Sequence, residues 1–477
     1  MAVLFIRRAE GMLRARRTPT AASETTYAEF ELVNDPALSS DFLDTLQRET
    51  FDYFVHEANP LNGLIADKTQ AGSPASIAAV GFALSSYPVG VERGFIRRSD
   101  AIARTLVTLR FFQASVQSAD PDATGYKGFY YHFLDMVSGR RVWTCELSTI
   151  DSAILLAGML TAAAYFSGED EDEREIRALA HALYLRADWN WAQNSGVTVT
   201  HGWKPESGFL RYRWEGYCEA MILYLLGLGS PTHPLPRESW AGWASTYDWR
   251  MIYDHGLLYA GPLFIHQFSH IWIDFRGIQD DYMRDKQIDY FENSRRATYV
   301  HQKYAIANPA RFEAYGENSW GITASDGPGP ATYTIKGKKR RFFGYESRGA
   351  PDGPDDGSIA PWAVAASLPF APDIVQPALT HFETLKLRQN NAYGFKATFN
   401  ATMADRSGPS QLWISPFHFA INQGPILLML ENYRSNLIWN LLRQCSYVVG
   451  GLRRAGFLGG WLGADNLEGT EGERNHI

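Results

Sequence analysis

Six stretches of the chain are apolar on every side and rich in small residues: 76–87, 149–165, 216–228, 262–273, 360–370 and 421–430. Most are bounded by Gly or Pro, the residues that punctuate helices. Between them lie segments whose apolar residues keep to one face: 42–55, 98–115, 170–191, 281–304, 373–387 and 433–442. From Asp172 to Leu183 the apolar positions are 176, 179, 180 and 183, the i, i+3, i+4, i+7 spacing of a half-buried helix. A helix that is apolar all round must be enclosed, and one with a single apolar face can enclose it. The alternation therefore predicts six inner helices wrapped by six outer ones, an all-α (α/α)6 toroidal barrel with long loops at one face. Alternating β-branched runs are few, and the best strand candidates, 332–336 and 196–200, are short. No Pro/Ser linker divides the chain, so one large domain is expected over 26–462. It lies between a basic tail at 1–25 and a polar tail at 463–477.

Charge changes the picture by exclusion. Among 477 residues, 45 Lys and Arg face 52 Asp and Glu, a net charge of −7, which argues against a surface that tracks nucleic-acid phosphates. The one dense basic run, Lys336 to Arg341, reads as a solvated loop. Three scattered cysteines, Cys145, Cys218 and Cys445, fit reduced thiols rather than a disulfide framework or a zinc knuckle. The longest apolar run, 150–166, is interrupted by Asp151, Ser152 and Thr161, so no membrane span is expected. At the N-terminus the apolar residues precede the arginines, the reverse of a secretory signal. That order points to the cytoplasm, or to the periplasm if the true start lies upstream. Aromatic content is high, with 14 Trp, 24 Tyr and 27 Phe. Flat rings with a polar edge fill cores, and they also stack on sugar faces.

Three constellations carry candidate chemistry. Glu146 and Asp151 flank the entry of the apolar stretch 149–165, where Ser148 or Thr149 could cap a helix and acids are favoured by the dipole. Plain capping explains such acids too, but both could also aim into a barrel mouth. Glu219 precedes a stretch that is apolar on all sides, so its carboxyl is expected to be buried. It is then either a general acid with a raised pKa or half of an ion pair with Arg211 or Arg213. His266 and His270 share a helix face at i, i+4 but lack the Glu of HExxH, so hydrogen bonding to substrate or carboxylates is preferred to a metal. Neither a metal nor another cofactor is expected. The run Asp352 to Gly357 lacks the terminal Glu of an EF-hand loop and reads as a turn.

Several of these motifs together resemble the bacterial glucoamylase-like family that includes the endo-β-1,2-glucanases of glycoside hydrolase family 144. They are Glu146–Asp151 with Ala153–Gly158, Tyr217–Tyr224 with Gly229–Pro234, His266–His270 with Ile273–Gly277, Asn293–Thr298, Trp320–Ala324 and Asp355–Pro361. The similarity runs from about Leu43 to Leu442. It implies the (α/α)6 barrel and an inverting hydrolase of β-glucan, with β-1,2-glucan or its oligosaccharides as the leading substrate. It places Glu219 as general acid, with Glu146 or Asp151 positioning or activating water. Trp143, Trp203, Trp214 and Trp320 become candidate sugar platforms, and His132, Glu215, His270, Arg276 and Gln423 candidate partners for the glycan's polar groups. The chain departs from the family at two places: Asn422 stands where an Asp is usual before Gln-Gly-Pro, and Ala397 where an Asp is usual after Tyr-Gly-Phe. A transglycosylase on the same scaffold and a non-catalytic glycan-binding protein are the alternatives.

Overall fold

The computed structural model of the protein describes residues 40–403 and 412–463. The tail expected at 1–25, and all but Gly463 of the one at 463–477, lie outside them. The described chain is mostly helical. One apolar cluster, from Leu43 to Leu462, takes in nearly every large buried side chain.

The enclosed helices form where small residues let backbones approach. Ile77–Glu92 and Thr149–Tyr165 are buried along almost their whole lengths. They cross at two glycines, where a Cβ on Gly158 would stand 2.2 Å from the Gly81 carbonyl oxygen. Thr149–Tyr165 also packs on Met221–Gly229. Pro361–Ala366 packs on Ala420–Ser435, which returns to Ile77–Glu92. The stretch expected as a helix at 262–273 is instead two 3-10 turns, Leu263–His266 and Ser269–Ile271. Its polar side chains explain the difference. Ser269 Oγ accepts from Ile222 N and donates to Glu219 O, and Gln267 donates to Ala363 O and Ser367 Oγ. These bonds tie the turns to the enclosed helices on either side.

The amphipathic segments pack outside. Ser40–His56 lies on Ala420–Ser435, Glu171–Leu185 on Thr149–Tyr165, and Pro372–Thr384 on Pro361–Ala366. Glu171–Leu185 buries Ile176, Ala180 and Leu183 as its period requires, and Glu173 as well, because Arg98 grips that carboxylate with two hydrogen bonds. Three outer positions differ from expectation, and one of them, 281–304, breaks at Gln287 into Asp281–Lys286 and Tyr290–Ala307. Met221–Gly229 takes its cover from Ser446–Arg454, with Gly451 against the Leu225 carbonyl. Residues 433–435 belong to the end of an enclosed helix, and only Leu437–Leu442 forms a separate short one.

The all-α expectation needs correction, because the loops pair into small antiparallel sheets. One has five strands in the order Gly125–Tyr126, Phe129–Tyr131, Leu147–Ser148, Gly202–Lys204 and Gly208–Phe209. Ala331–Ile335 and Lys338–Phe342 form a hairpin that contains the first strand candidate and most of the basic run. The second candidate, 196–200, is irregular, with only Thr200 bridging to Arg213. These strands are two to five residues long and lie in connections too short and polar to show a period-two pattern. Among the described residues no helix is long and apolar enough to cross a membrane.

Candidate active site

Three enclosed helices, Ile77–Glu92, Thr149–Tyr165 and Ala420–Ser435, begin at one pole, and the connections entering them are stitched together there. Ile77 N donates to His132 O, Thr149 N to His201 O, and Ala420 N to Asp67 O. Aligned helix dipoles place partial positive charge at that pole, where carboxylates are stabilised. The five-stranded sheet supplies register. Tyr131 pairs with Leu147 and Leu147 with Trp203, so the next rung sets His132 opposite Glu146, and Lys204 falls beside Glu146 on the other side. The bond from His132 N to Glu146 O, 3.0 Å, confirms the rung. Cross-strand neighbours share a face, which brings the two side chains together.

His132 is the centre of a charged cluster. Its Nδ1 lies 2.9 Å from Glu146 Oε1 and its Nε2 3.7 Å from Asp151 Oδ2, while its ring stacks on Phe133 at 3.9 Å. Burial alone would lower its pKa, but Asp151, the Glu146 hydrogen bond and the charges of Glu146 and Asp67 raise it to about 9. It is therefore an imidazolium at neutral pH. Burial would raise Glu146, yet His132 holds it below its ordinary range, helped by Lys204. Asp151 occupies the first turn of Thr149–Tyr165. Its N–H donates to the Ser148 Oγ cap, and that hydroxyl lies 2.5 Å from Asp151 Oδ2. Asp151 thus completes a helix cap and faces His132 as well.

Glu219 stands apart from this network of hydrogen bonds. Its backbone is held by Ser269 just ahead of Met221–Gly229. Its Oε2 is sealed from solvent and has no hydrogen-bond partner among the described residues. Burial, with Asp151's charge added, pushes its pKa up to about 7. The ion-pair alternative is not seen among the described residues: Arg213 spends its guanidinium on the carbonyls of Gln193, Asn194 and Thr198, and Glu219 Oε2 has no partner. Glu219 is thus a protonatable carboxyl within reach of Asp151's charge, while Glu146 is held low by His132.

The candidate glycan contacts divide. Trp143 is 64% exposed on a loop where it and Thr144 have φ of 56° and 50°, and its ring continues the His132–Phe133 stack at 5.2 Å from Phe133. Trp203 is half-buried in the sheet beside Tyr126. Trp214 is buried, donates Nε1 to Thr149 Oγ1 and stacks on His201 at 3.8 Å; burial keeps that imidazole neutral by pushing it down to about 4. Glu215 is exposed and accepts from Thr198 Oγ1.

Four expected contacts are engaged within the fold. Trp320 is wholly buried in the core. His270 is sealed against Ser294 at 2.9 Å, and burial pushes it down to about 3. Gln423 is buried and donates to Phe395 O. Arg276 binds Asp274 with two hydrogen bonds and reaches Asn436, the C-cap of Ala420–Ser435. At 1.5 Å rise per residue that is about 24 Å along the helix from the Asp67 anchor. The i, i+4 relation between His266 and His270 gathers no ligand set. His266 Nε2 lies 3.1 Å from Ala260 O, and among the described residues no group of three or more His, Cys, Asp or Glu could hold a metal ion.

The structure adds residues that sequence reasoning missed. Asp67 is raised by burial, an effect opposed by His132 and Lys68 and reinforced by Asp151, and the charges of Asp67, Asp326 and Asp151 all bear on Tyr345. Asp326 accepts from Ser415 Oγ at 2.8 Å. One signal was available for Asp67. It stands in the connection leading into an enclosed helix, as Glu146 does. Ala397 is buried beside Ser325, and Asn422 is buried with neither amide atom partnered among the described residues.

Comparisons with known proteins point the same way. A family model described as "Putative glucoamylase" matches residues 211–446. Over 472 residues the chain is 28% identical to an exo β-1,2-glucooligosaccharide sophorohydrolase (non-reducing end) of Parabacteroides distasonis. The match takes in 91% of this chain, which spans 59% of the length of that relative. A crystal structure of a "putative glucoamylase" from Bacteroides uniformis is 32% identical with a TM-score of 0.78, over 90% of this chain and all of the other. The endo-β-1,2-glucanase of Chitinophaga pinensis, solved with sophorotriose and glucose, is 27% identical with a TM-score of 0.76. That match covers 89% of this chain and 100% of that one.

Proposed function

We propose a function from one premise: the chain belongs to the "Putative glucoamylase" family. In our reading it hydrolyses β-1,2-glucan or its oligosaccharides by an inverting mechanism with two carboxyl groups. The observation that carries this is the contrast between Glu219, whose Oε2 is sealed without a partner among the described residues and whose pKa is raised to about 7, and Glu146, held below its ordinary range by His132, which also faces Asp151. Glycoside cleavage needs that division, an acid to protonate the leaving oxygen and a carboxylate to take a proton from water. Glu219 donates its proton to the glycosidic oxygen as the C1–O bond breaks. Water attacks C1 from the opposite face and passes its proton to Asp151 or Glu146, giving an α-anomeric product. Trp143 offers an open ring for a sugar face at the rim. Contacts running in turn through the six apolar segments support a toroid of the (α/α)6 kind with this cluster at its mouth.

A second reading is favoured by Ala397 and Asn422, where the family's usual acids are absent: transfer of the glycosyl unit to another sugar instead of water. Linear and cyclic β-1,2-glucan, with other β-glucans as controls, separate the two when products are followed by chromatography and proton NMR. Fast release of α-anomeric ends from β-1,2-glucan is expected. Longer or cyclised products at high substrate would identify a transglycosylase, and binding without any cleavage would remove the enzymatic assignment. Glu219→Gln should lower kcat by about 10² or more, the scale of general acid catalysis. A near-normal rate would take the acid role away from Glu219.

A further inference from the structure

We propose that Asp151 is the carboxylate that activates water, and that Glu146 and His132 act as a positioning dyad, a charged bridge that holds a cation against Asp151. The proposal rests on the hydrolase function proposed above and narrows it, since Glu146 and Asp151 there share one role.

The two carboxylates are not equivalent. Glu146 is a rung of the sheet, fixed across from His132 by backbone register and bonded to its Nδ1 at 2.9 Å. An imidazole so held has a fixed ring plane and a fixed partner for one nitrogen. Its other nitrogen then reaches Asp151 Oδ2 at 3.7 Å, a charge contact that leaves oxygen lone pairs free. Asp151 is also the member of the pair whose charge acts on Glu219. The groups facing this bridge are few. Asp67 comes from the loop before Ala75–Ser76, with Lys68 beside it, and Lys204 and His201 come from the sheet beside Glu146. Glu219 and Tyr345 complete the surround of Asp151. Asp67 is a like charge that would favour a proton on Asp151, and His132 is the cation that opposes it. Remove it, and Asp151 loses the cation that stands 3.7 Å from its Oδ2.

The sign of the effect follows. A cation beside a carboxylate favours its charged form, and His132 Nε2 stands 3.7 Å from Asp151 Oδ2. In His132→Asn the acid limb of the kcat/KM profile should therefore move to higher pH. The basic limb, set by Glu219, should stay near 7. We expect kcat to fall about tenfold or more with KM changed little. His132→Lys, which returns a cation, should bring the limb back. Asp151→Asn should be as damaging as Glu219→Gln, and Glu146→Gln milder, shifting the limb in the same direction. If His132 only bonds glucan hydroxyls, KM will rise and the limb will stay put. If Glu146→Gln abolishes turnover while Asp151→Asn retains it, the base is Glu146 and the proposal fails.

A second measurement stands apart from catalysis. Imidazole 15N NMR of the labelled protein should show both His132 nitrogens protonated at pH 7.5, and less so in Glu146→Gln. A neutral His132 at that pH overturns the bridge whether or not glucan is cleaved. A doubly protonated His132 in a protein that cleaves no glucan leaves the bridge standing and removes the hydrolase function instead.

Discussion

Two tryptophans show how a residue's role depends on where its ring ends up. Trp143 and Trp320 were equal candidates for a sugar platform, yet one is 64% exposed at the rim and the other wholly buried. Trp143→Ala should raise KM several-fold, on the scale of about 1 kcal/mol for an aromatic contact, with the thermal midpoint unchanged. Trp320→Ala should cost about 3–5 kcal/mol of stability through the cavity it leaves and should show in calorimetry before it shows in KM. Equal effects on KM would refute the assignment. His132 carries a separate pH signature. Its folded pKa, about 9, lies above the ordinary 6.5, so the stability it contributes is complete below pH 6.5 and is lost as pH rises through 9.

At the scale of elements, what positions the chemistry is the closeness of the enclosed helices. Ile77–Glu92 and Thr149–Tyr165 touch backbone to backbone at Gly81 and Gly158, and the second of them carries Asp151 in its first turn. Gly158→Val would force the pair apart, since the clash is with a carbonyl rather than with a flexible side chain. Overpacking of this kind costs about 1–3 kcal/mol or more. The expected result is a lower thermal midpoint together with reduced kcat, because Asp151 moves with the helix while His132 stays with the sheet. A stable variant of normal activity would mean that the crossing does not set the site. Helix existence was legible here: the stretch 149–165 is a helix over those same residues, because every one of its faces is apolar or small. The 3-10 turns at 263–271 were not legible. Their geometry answers to Ser269 and Gln267 bonding to Ile222, Glu219 and Ala363, and none of those partners is near in sequence.

At the scale of the whole molecule, a buried ion pair far from Glu219 in sequence ties one wall of the cleft. Arg348 and Asp356 are both sealed from solvent, and Arg348 also donates to the carbonyls of Ser325, Phe343 and Gly344, the segments that bear Asp326 and Tyr345. Burial would raise Asp356, but Arg348 holds it below its ordinary range, so its contribution to stability is present above the unfolded pKa and is lost as pH falls. Asp356→Asn leaves a buried guanidinium unpaired and should cost about 3–5 kcal/mol in denaturant unfolding. A loss under about 1 kcal/mol would show that the carbonyls alone satisfy Arg348. The Asp run at 352–356 turns the chain, with Gly357 N donating to Asp355 and Ser358 N to Asp356, and its carboxylates hold loops together as well: Asp355 accepts from Tyr304 and Tyr315, and Asp352 pairs with Arg250.

The sequence by itself determined the alternation of enclosed and half-buried helices and the candidacy of Glu219, Glu146 and Asp151. Those properties are local: periodicity, small residues and an acid next to an apolar helix are all read within about twenty positions. Only the tertiary structure decided that His132 joins Glu146 and Asp151, that the charges of Asp67, Asp326 and Asp151 meet at Tyr345, and that Trp320, His270, Gln423 and Arg276 are engaged within the fold. A charge cluster is a sum over groups from separate loops, and a pKa is set by whatever burial and charge surround the group after folding. Neither is a property of any one stretch of chain.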